Sequence, residues 1–452
     1  MFLGITNDSR KVKKGDIFVA YQGVNEDLHQ YIEQARVKGA VFVIGEKGSP
    51  SLFRASADQG HCDLIVKDGR EVFSRLAAAW YGHSDKKLKL FAVTGTNGKT
   101  STAKMIGAIF NEAKKGTAVF GTINYSFKDK IYLAKETTPD PMALHCLFKE
   151  FSDDGARYAI LEASSQGLDQ KRFSGLEFEA GIFTNLTQDH LDYHKTMANY
   201  LKAKMILFQQ SKIIILNNDD PASTKIKTVF KDKKIITYGL EKKSDFMEKD
   251  LPKVLSLPGR FNQYNALAAM ALARTYGISR KIIDNVLGKI KVPGRFEMIG
   301  DRVIVDYAHT PDALERLLEN IREIITKGGS GGKIICVFGC GGDRDRGKRP
   351  IMGEIATCLA DFTIITNDNP RTENANDIII EIKKGVQVSR IPYFSVLLDR
   401  KQAIKKAIKM AGPSDLVVIA GKGHEDYQII GNQKRYFSDQ EEANKNLNIK
   451  IY

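Results

Sequence analysis

The chain has 452 residues, 42% hydrophobic and 27% charged, which suits about three folded domains and excludes a wholly disordered, collagenous or coiled-coil protein. Its 68 basic and 54 acidic residues leave a net charge of +14, compatible with nucleic acid, a membrane surface or anionic small molecules. The lysines are scattered without interleaved aromatics, so most of this charge reads as solvated surface and no nucleic-acid partner is expected.

The opening MFLGITNDSR lacks a basic segment followed by an apolar one, so a cytoplasmic protein is expected. Residues 1–87 alternate apolar runs at 16–20 and 40–44 with a helical pattern over 32–38, a small α/β unit. The polar stretch 83–89 then leads into LKLFAVTG, which places a boundary near residue 87. From 88 to 291 strands alternate with amphipathic helices, the rhythm of a mostly parallel sheet. No charge-free run within it reaches the roughly 18 residues needed to span a bilayer; residues 261–273 are closed by Arg260 and Arg274. A third unit, 292–452, opens after Val292-Pro293-Gly294 and repeats the rhythm. Its strands at 302–306, 333–338, 362–366 and 416–420 run into polar or glycine-rich loops, where ligands of such sheets bind. The tract 328–332 reads as a flexible loop. Five cysteines, Cys62, Cys146, Cys336, Cys340 and Cys358, are too sparse and odd for a disulfide framework, and no zinc site is expected at Cys336 and Cys340.

Four features carry chemistry. In Thr94-Gly95-Thr96-Asn97-Gly98-Lys99-Thr100-Ser101, glycines let backbone N–H groups approach a triphosphate, Lys99 can reach the terminal phosphates, and Thr100 offers a hydroxyl to Mg²⁺. A strand precedes the loop and a helical face of Met105, Ile106, Ile109, Phe110 and Ala113 follows it; Val93 stands where the usual spacing has glycine, so the loop is a shortened variant. Tyr158-Ala159-Ile160-Leu161-Glu162 delivers a carboxylate at a strand's end, a candidate Mg²⁺ ligand or a solvated acid. Asp189-His190, Asp192 and His194 form a dense titratable cluster. Lys204 falls within an apolar helix stripe of Met197, Tyr200, Leu201, Leu207 and Phe208, so it should be paired, snorkelled or chemically altered; periodicity alone favours snorkelling.

TGTNGKT, ILEASS, TNLTQDHLDYH, LPGRFNQYNALAA, VPGRFE and DYAHTPDAL together resemble the Mur ligase family over essentially the whole chain. DSRKVKKGDIFVA, GCGGDRDRGKRP, DNPRTEN and GKGHEDYQ are similar to the members that add the third residue of the peptidoglycan stem peptide. The resemblance implies an α/β protein of three domains: an N-terminal UDP-binding domain (1–87), a central phosphate-loop ATPase (88–291) and a Rossmann-like C-terminal domain supplying the amino acid (292–452). It implies ATP and Mg²⁺, with Glu162 and His190 joining Thr100 as metal ligands, and a CO₂-derived carbamate on Lys204. Asn262, Asn265, Arg295 and Asp306 would serve the nucleotide. The UDP-muramoyl-dipeptide would meet Asn7 and Ser9 near uridine, and Thr137, Thr138, Ser164, Gln170 and Arg172 around the sugar and dipeptide. Gln166 and Leu28 depart from the family pattern, which commonly has histidine and glycine there.

The implied reaction phosphorylates the D-glutamyl γ-carboxylate and lets an amine open the acyl phosphate. Asp368-Asn369-Pro370-Arg371, with Arg344, Gly421 and Glu425, would read the amino acid; Arg371 can bind the far carboxylate of meso-diaminopimelate, which lysine lacks, so the diacid is expected over L-lysine. A monomer is expected. A folylpolyglutamate synthase or the ligase adding the terminal dipeptide is the nearest alternative, against which DNPR and DSR argue; a nucleic-acid-dependent ATPase is the alternative outside the class.

Overall fold

The computed structural model describes residues 2–24, 26–47, 62–327, 329 and 331–447, so the tract 328–332 lies partly outside the described residues. Three large sheets follow one another along the chain, and a two-stranded sheet, Tyr427–Ile430 with Gln433–Tyr436, lies near the end of the described residues. The first has four parallel strands in the order Gly4–Thr6, Asp16–Val19, Phe42–Glu46, Leu64–Val66. Asp16–Val19 is apolar at successive positions because both its faces are covered: Phe18 packs with Ala35 of helix Ile32–Val37, and Ile17 and Val19 pack with Phe73 of helix Gly69–Trp80. The strand expected at 40–44 begins two residues later, since the Ala40 N–H instead closes the preceding helix by donating to the Ala35 carbonyl at 3.0 Å.

The second sheet has eight strands, ordered Lys234–Tyr238, Ser211–Asn217, Phe178–Phe183, Lys89–Thr94, Tyr158–Glu162, Thr117–Phe120, Asn124–Phe127, Lys130–Leu133. The first six pair in parallel and the last two extend the edge as an antiparallel hairpin. Helices Lys99–Glu112 and Arg260–Thr275 cover one face; Pro141–Asp153 and Met197–Gln209 cover the other. The apolar run 261–273 is thus a core helix, and no helix among the described residues is long and apolar enough to cross a membrane.

The third sheet has six strands, ordered Glu297–Ile299, Val303–Asp306, Leu416–Ala420, Ile334–Phe338, Phe362–Ile365, Phe394–Val396, parallel except for the first. Helices Pro311–Lys327, Lys348–Leu359 and Ala375–Lys383 lie on one face, Arg400–Met410 and Asp439–Asn446 on the other. The last helix is docked by a fully buried pair: Arg400 donates from Nε and Nη2 to the two Asp439 carboxylate oxygens at 2.8 and 2.7 Å, and from Nη2 to the Ala420 carbonyl at 3.0 Å. All five cysteines are free. Residues beyond the carboxyl ends of strands in the second and third sheets line one cleft of about 1120 Å³, among them Thr96, Ser164 and Thr184 from the second and Gly339, Asp368 and Gly421 from the third.

Candidate active site

Strand Lys89–Thr94 ends in the phosphate loop, and helix Lys99–Glu112 starts directly after it with Gly98 at φ 85°. Glycine is required at two places by close approach: a Cβ on Gly95 would lie 1.8 Å from Thr184 Oγ1, and one on Gly98 2.3 Å from Asn265 Oδ1. The loop is pinned by Asn185, whose carbonyl accepts from Thr96 N at 2.9 Å and whose Oδ1 accepts from Asn97 N at 2.8 Å. Lys99 Nζ donates to the carbonyls of Gly95 and Thr96 at 2.9 and 2.8 Å. Burial lowers its pKa, with Glu162 and Asp189 opposing. Helix N-terminus, loop amides and lysine together make a polyanion site.

Glu162 is no solvated strand-end acid. It is 1% exposed, accepting from Thr100 Oγ1 at 2.8 Å, Thr122 Oγ1 at 2.9 Å and Thr122 N at 3.0 Å. All of these donors are neutral, so a buried carboxylate beside a phosphate loop retains affinity for a hard cation; with the Thr100 hydroxyl, the donor set suits Mg²⁺. His190, at φ 54°, points its Nε2 to within 3.3 Å of Asp189 Oδ2. Burial pushes the Asp189 carboxyl up, but His190, Lys348 and His309 outweigh it and hold the group at about 2.

Snorkelling of Lys204 is overturned. The side chain is 1% exposed, its Nζ donating to the Gly95 carbonyl at 2.8 Å and lying 4.1 Å from the centre of the Tyr200 ring. The stripe faces inward between Tyr200 and Leu207, both buried, so the amine cannot reach the outer surface and ends at the cleft instead. Burial, then the neighbouring Lys99 charge, holds its pKa well below the usual lysine range.

The other expected residues divide by location. Thr137, Thr138, Ser164 and Arg172 line the cleft beside Glu162. Arg172 pairs with Glu136 and donates to the Gln170 side chain at 2.9 Å and to the Thr138 carbonyl. Ser164 caps helix Ser165–Asp169 by accepting from Gly167 N at 3.0 Å. Asn7 and Ser9 do not line it: Asn7 donates to Tyr21 Oη and Ser9 to Gln34 Oε1, both at 2.6 Å, within the first sheet's layer. Leu28 starts a short 3-10 turn capped by Asp27, so no left-handed backbone demands glycine there. Asn265 reaches the cleft; Asn262 lies behind it, 1% exposed, donating to the Pro258 carbonyl at 2.9 Å and accepting from Asn265 Nδ2 at 3.2 Å.

From the third sheet, Arg295 donates to Thr100 Oγ1 at 3.1 Å and stacks 4.4 Å from the Tyr307 ring centre. Asp306 braces its own loop, accepting from Phe296 N at 2.7 Å and Ala308 N at 2.8 Å. Arg344, Asp368, Asn369, Arg371, Gly421 and Glu425 line the same cleft, and Pro370 does not. Asn369 Nδ2 donates to Glu425 Oε2 at 3.0 Å, and Lys422 Nζ reaches both side chains at 3.2 Å. Sequence reasoning missed Lys348, Tyr307 and Asp312, which line the cleft, and Lys422, which is buried behind Asn369 and Glu425. Lys422 and Lys348 lie inside GKGHEDYQ and GCGGDRDRGKRP, but a basic loop residue gives no local signal of burial. Asp312 accepts from Asn97 Nδ2 at 2.8 Å, joining the third sheet's layer to the phosphate loop.

Three family models match this arrangement in order: the Mur ligase family catalytic domain over residues 2–81, the Mur ligase middle domain over 93–273, and the Mur ligase glutamate ligase domain over 294–423. The chain belongs to the Mur ligase family. A UDP-N-acetylmuramoyl-L-alanyl-D-glutamate--2,6-diaminopimelate ligase of Clostridium tetani is 42% identical, the match covering 97% of this chain and 93% of the relative. The ligase of the same name from Geobacter metallireducens is 40% identical over 97% of this chain and 93% of its own length. A solved structure of a ligase so named is 34% identical and superposes with a TM-score of 0.67, covering 99% of this chain and 95% of that one. Folylpolyglutamate synthase of Mycobacterium tuberculosis, 16% identical over 78% of this chain and 92% of its own with a TM-score of 0.63, shares the fold alone.

Proposed function

We propose that this Mur ligase is an ATP-dependent amide ligase joining meso-diaminopimelate to UDP-N-acetylmuramoyl-L-alanyl-D-glutamate in peptidoglycan precursor synthesis. Residues 1–87 hold the uridine end, 88–291 bind ATP, and 292–452 present the amino acid. The observation that carries the choice of amino acid is Arg371: it lines the cleft, yet among the described residues its side-chain hydrogen bonds go only to the carbonyls of Gly342 and Asn369, at 2.8 and 3.4 Å. A half-buried guanidinium with only neutral acceptors is a bidentate carboxylate site, and Arg344 beside it adds a second positive charge.

The γ-carboxylate must approach a triphosphate. At 4 Å and an effective dielectric near 20, each pair of unit charges repels by about 4 kcal/mol. Lys99 leaves the loop carbonyls for the terminal phosphates, and Arg295, already on Thr100, adds charge from the third domain. Thr100, Glu162 and His190 would hold Mg²⁺, which neutralises developing phosphoryl charge. A carbamate on Lys204, formed from its neutral amine and CO₂ with loss of a proton, would place an anion on the metal side of the cleft. Arg172, exchanging Glu136 for the substrate, orients the dipeptide. The bridges from Asn97 to Asp312 and from Arg295 to Thr100 keep the two domains closed, excluding the water that would hydrolyse an acyl phosphate. The test is the mass of the product formed from ATP, UDP-muramoyl-dipeptide and each amino acid: a diaminopimelate adduct is expected, and a preference for lysine overturns the reading.

A further inference from the structure

The loops carrying Arg344 and Arg371 are both strained: Asp343 sits at φ 52° and Arg371 at φ 50°, left-handed values that non-glycine residues adopt only when their surroundings hold them. One buried side chain ties these loops together. Arg349, 0% exposed in the first turn of helix Lys348–Leu359, donates from Nη1 to Glu373 Oε2 at 2.9 Å and Glu381 Oε2 at 2.8 Å. Its Nη2 donates to Glu373 Oε1 at 2.8 Å and the Gly341 carbonyl at 3.1 Å. Glu373, two residues after Arg371, accepts in turn from Asp343 N at 2.6 Å, and Asp343 Oδ1 accepts from Thr372 Oγ1 at 2.8 Å. The guanidinium thus joins the 341–344 loop, the 369–373 loop and helix Ala375–Lys383. Its charge holds the Glu373 carboxyl down at about 2, so the pair stays ionised throughout the physiological range.

We propose that Arg349 and Glu373 are positioning residues for amino-acid specificity, fixing the spacing and orientation of the Arg344 and Arg371 guanidinium groups before the diacid arrives. Neither need touch substrate; they act through the two strained loops. A fork built from independent loops would pay the ordering cost at each binding event, whereas a fork held by a buried bidentate pair has its ordering complete beforehand. Arg349 is not replaceable by lysine in this role, because an ammonium cannot make two parallel bonds to Glu373 while also reaching Glu381 and the Gly341 carbonyl. This inference rests on the reading that Arg344 and Arg371 bind the amino acid.

The experiment compares Arg349→Lys and the isosteric Glu373→Gln with the wild-type protein in the full ligase reaction, with Arg346→Ala as control. Arg346 meets Glu381 from the exposed side. In both clamp variants the KM for diaminopimelate is expected to rise at least tenfold, kcat to fall less than threefold, the KM values for ATP and UDP-muramoyl-dipeptide to stay within twofold, and the preference for diaminopimelate over lysine to drop at least tenfold. The control should shift none of these by more than twofold. An unchanged diaminopimelate KM and selectivity in either variant, once its folding is verified by an intact thermal transition, overturns the proposal; so does a uniform loss across all three substrates. Should the wild-type protein itself favour lysine, the amino-acid reading fails separately, and the KM for lysine in the same variants still decides whether the clamp positions the site.

Discussion

Lys99 and Lys204 donate to one acceptor: both Nζ atoms reach the Gly95 carbonyl oxygen, at 2.9 and 2.8 Å. Sharing one oxygen brings the two lysine head groups close together, and burial lowers the pKa of both, neither having a carboxylate hydrogen-bonded to it among the described residues. Lowered pKa values favour the neutral amine, the nucleophilic form of lysine that adds to CO₂.

Lys204→Ala is accordingly expected to lower ligase activity at least a hundredfold while leaving the melting temperature within a few degrees. Millimolar formate or acetate should restore part of it by placing a carboxylate where the carbamate would stand. Full activity in the variant, measured by phosphate release, would remove carbamylation from the mechanism.

Glu162→Gln keeps the hydrogen-bonding shape around Thr100 and Thr122 but removes the charge. Activity should fall about 10²–10³-fold, the scale of losing one preorganised electrostatic contact in a site. The Mg²⁺ concentration for half-maximal rate should rise with it. An unchanged Mg²⁺ dependence would exclude Glu162 as a ligand.

His145 supplies a pH signature away from the cleft. Its ring is buried, neither nitrogen has a hydrogen-bond partner among the described residues, and the nearest carboxylate oxygen, Asp85 Oδ1, lies 3.7 Å away. Burial, with a smaller push from His83, lowers its pKa from 6.5 to about 4. The folded state thus resists protonation that the unfolded chain accepts, so stability is intact above pH 6.5 and declines as pH falls from 6.5 towards 4. The carboxyl of Asp85, raised by burial, acts in the opposite direction. The full loss from His145 is about 3 kcal/mol, at 1.36 kcal/mol per pKa unit. Denaturant titrations of His145→Phe should show a shallower decline than wild type across this window; parallel curves would contradict the assignment.

Asp439→Asn leaves Arg400 buried without the negative charge of its ion-pair partner, which should cost about 3–5 kcal/mol and loosen the last helix. Hydrogen exchange over helix Asp439–Asn446 checks it; protection equal to wild type there would show that the pair does not dock the helix.

What the sequence made legible was local pattern. The strand Tyr158–Glu162 was readable residue for residue because an unbroken apolar run ends in one charge, and helix Met197–Gln209 because its apolar positions keep a helical period. The period identifies a face but not its depth, which is why Lys204 read as snorkelling when it is buried; Asn262, assigned to the nucleotide by the family resemblance alone, lies behind the cleft. The edge hairpin Asn124–Phe127 with Lys130–Leu133 went unread: its turn has Lys128 rather than glycine at φ 52°, and its outer strand is exposed at every position. The third domain's hairpin, Tyr427–Ile430 with Gln433–Tyr436, does carry a turn signal, Gly431-Asn432. In the site, the motif residues were visible individually. The Arg349 clamp was not, since it joins segments that only the fold brings together.

The most direct measurement is phosphate release from ATP with Mg²⁺ while the two other substrates are supplied separately and together. Rapid release is expected only when UDP-muramoyl-dipeptide and diaminopimelate are both present, with lysine giving a rate lower by orders of magnitude. ATP cleavage at the same rate with neither substrate present would contradict the account.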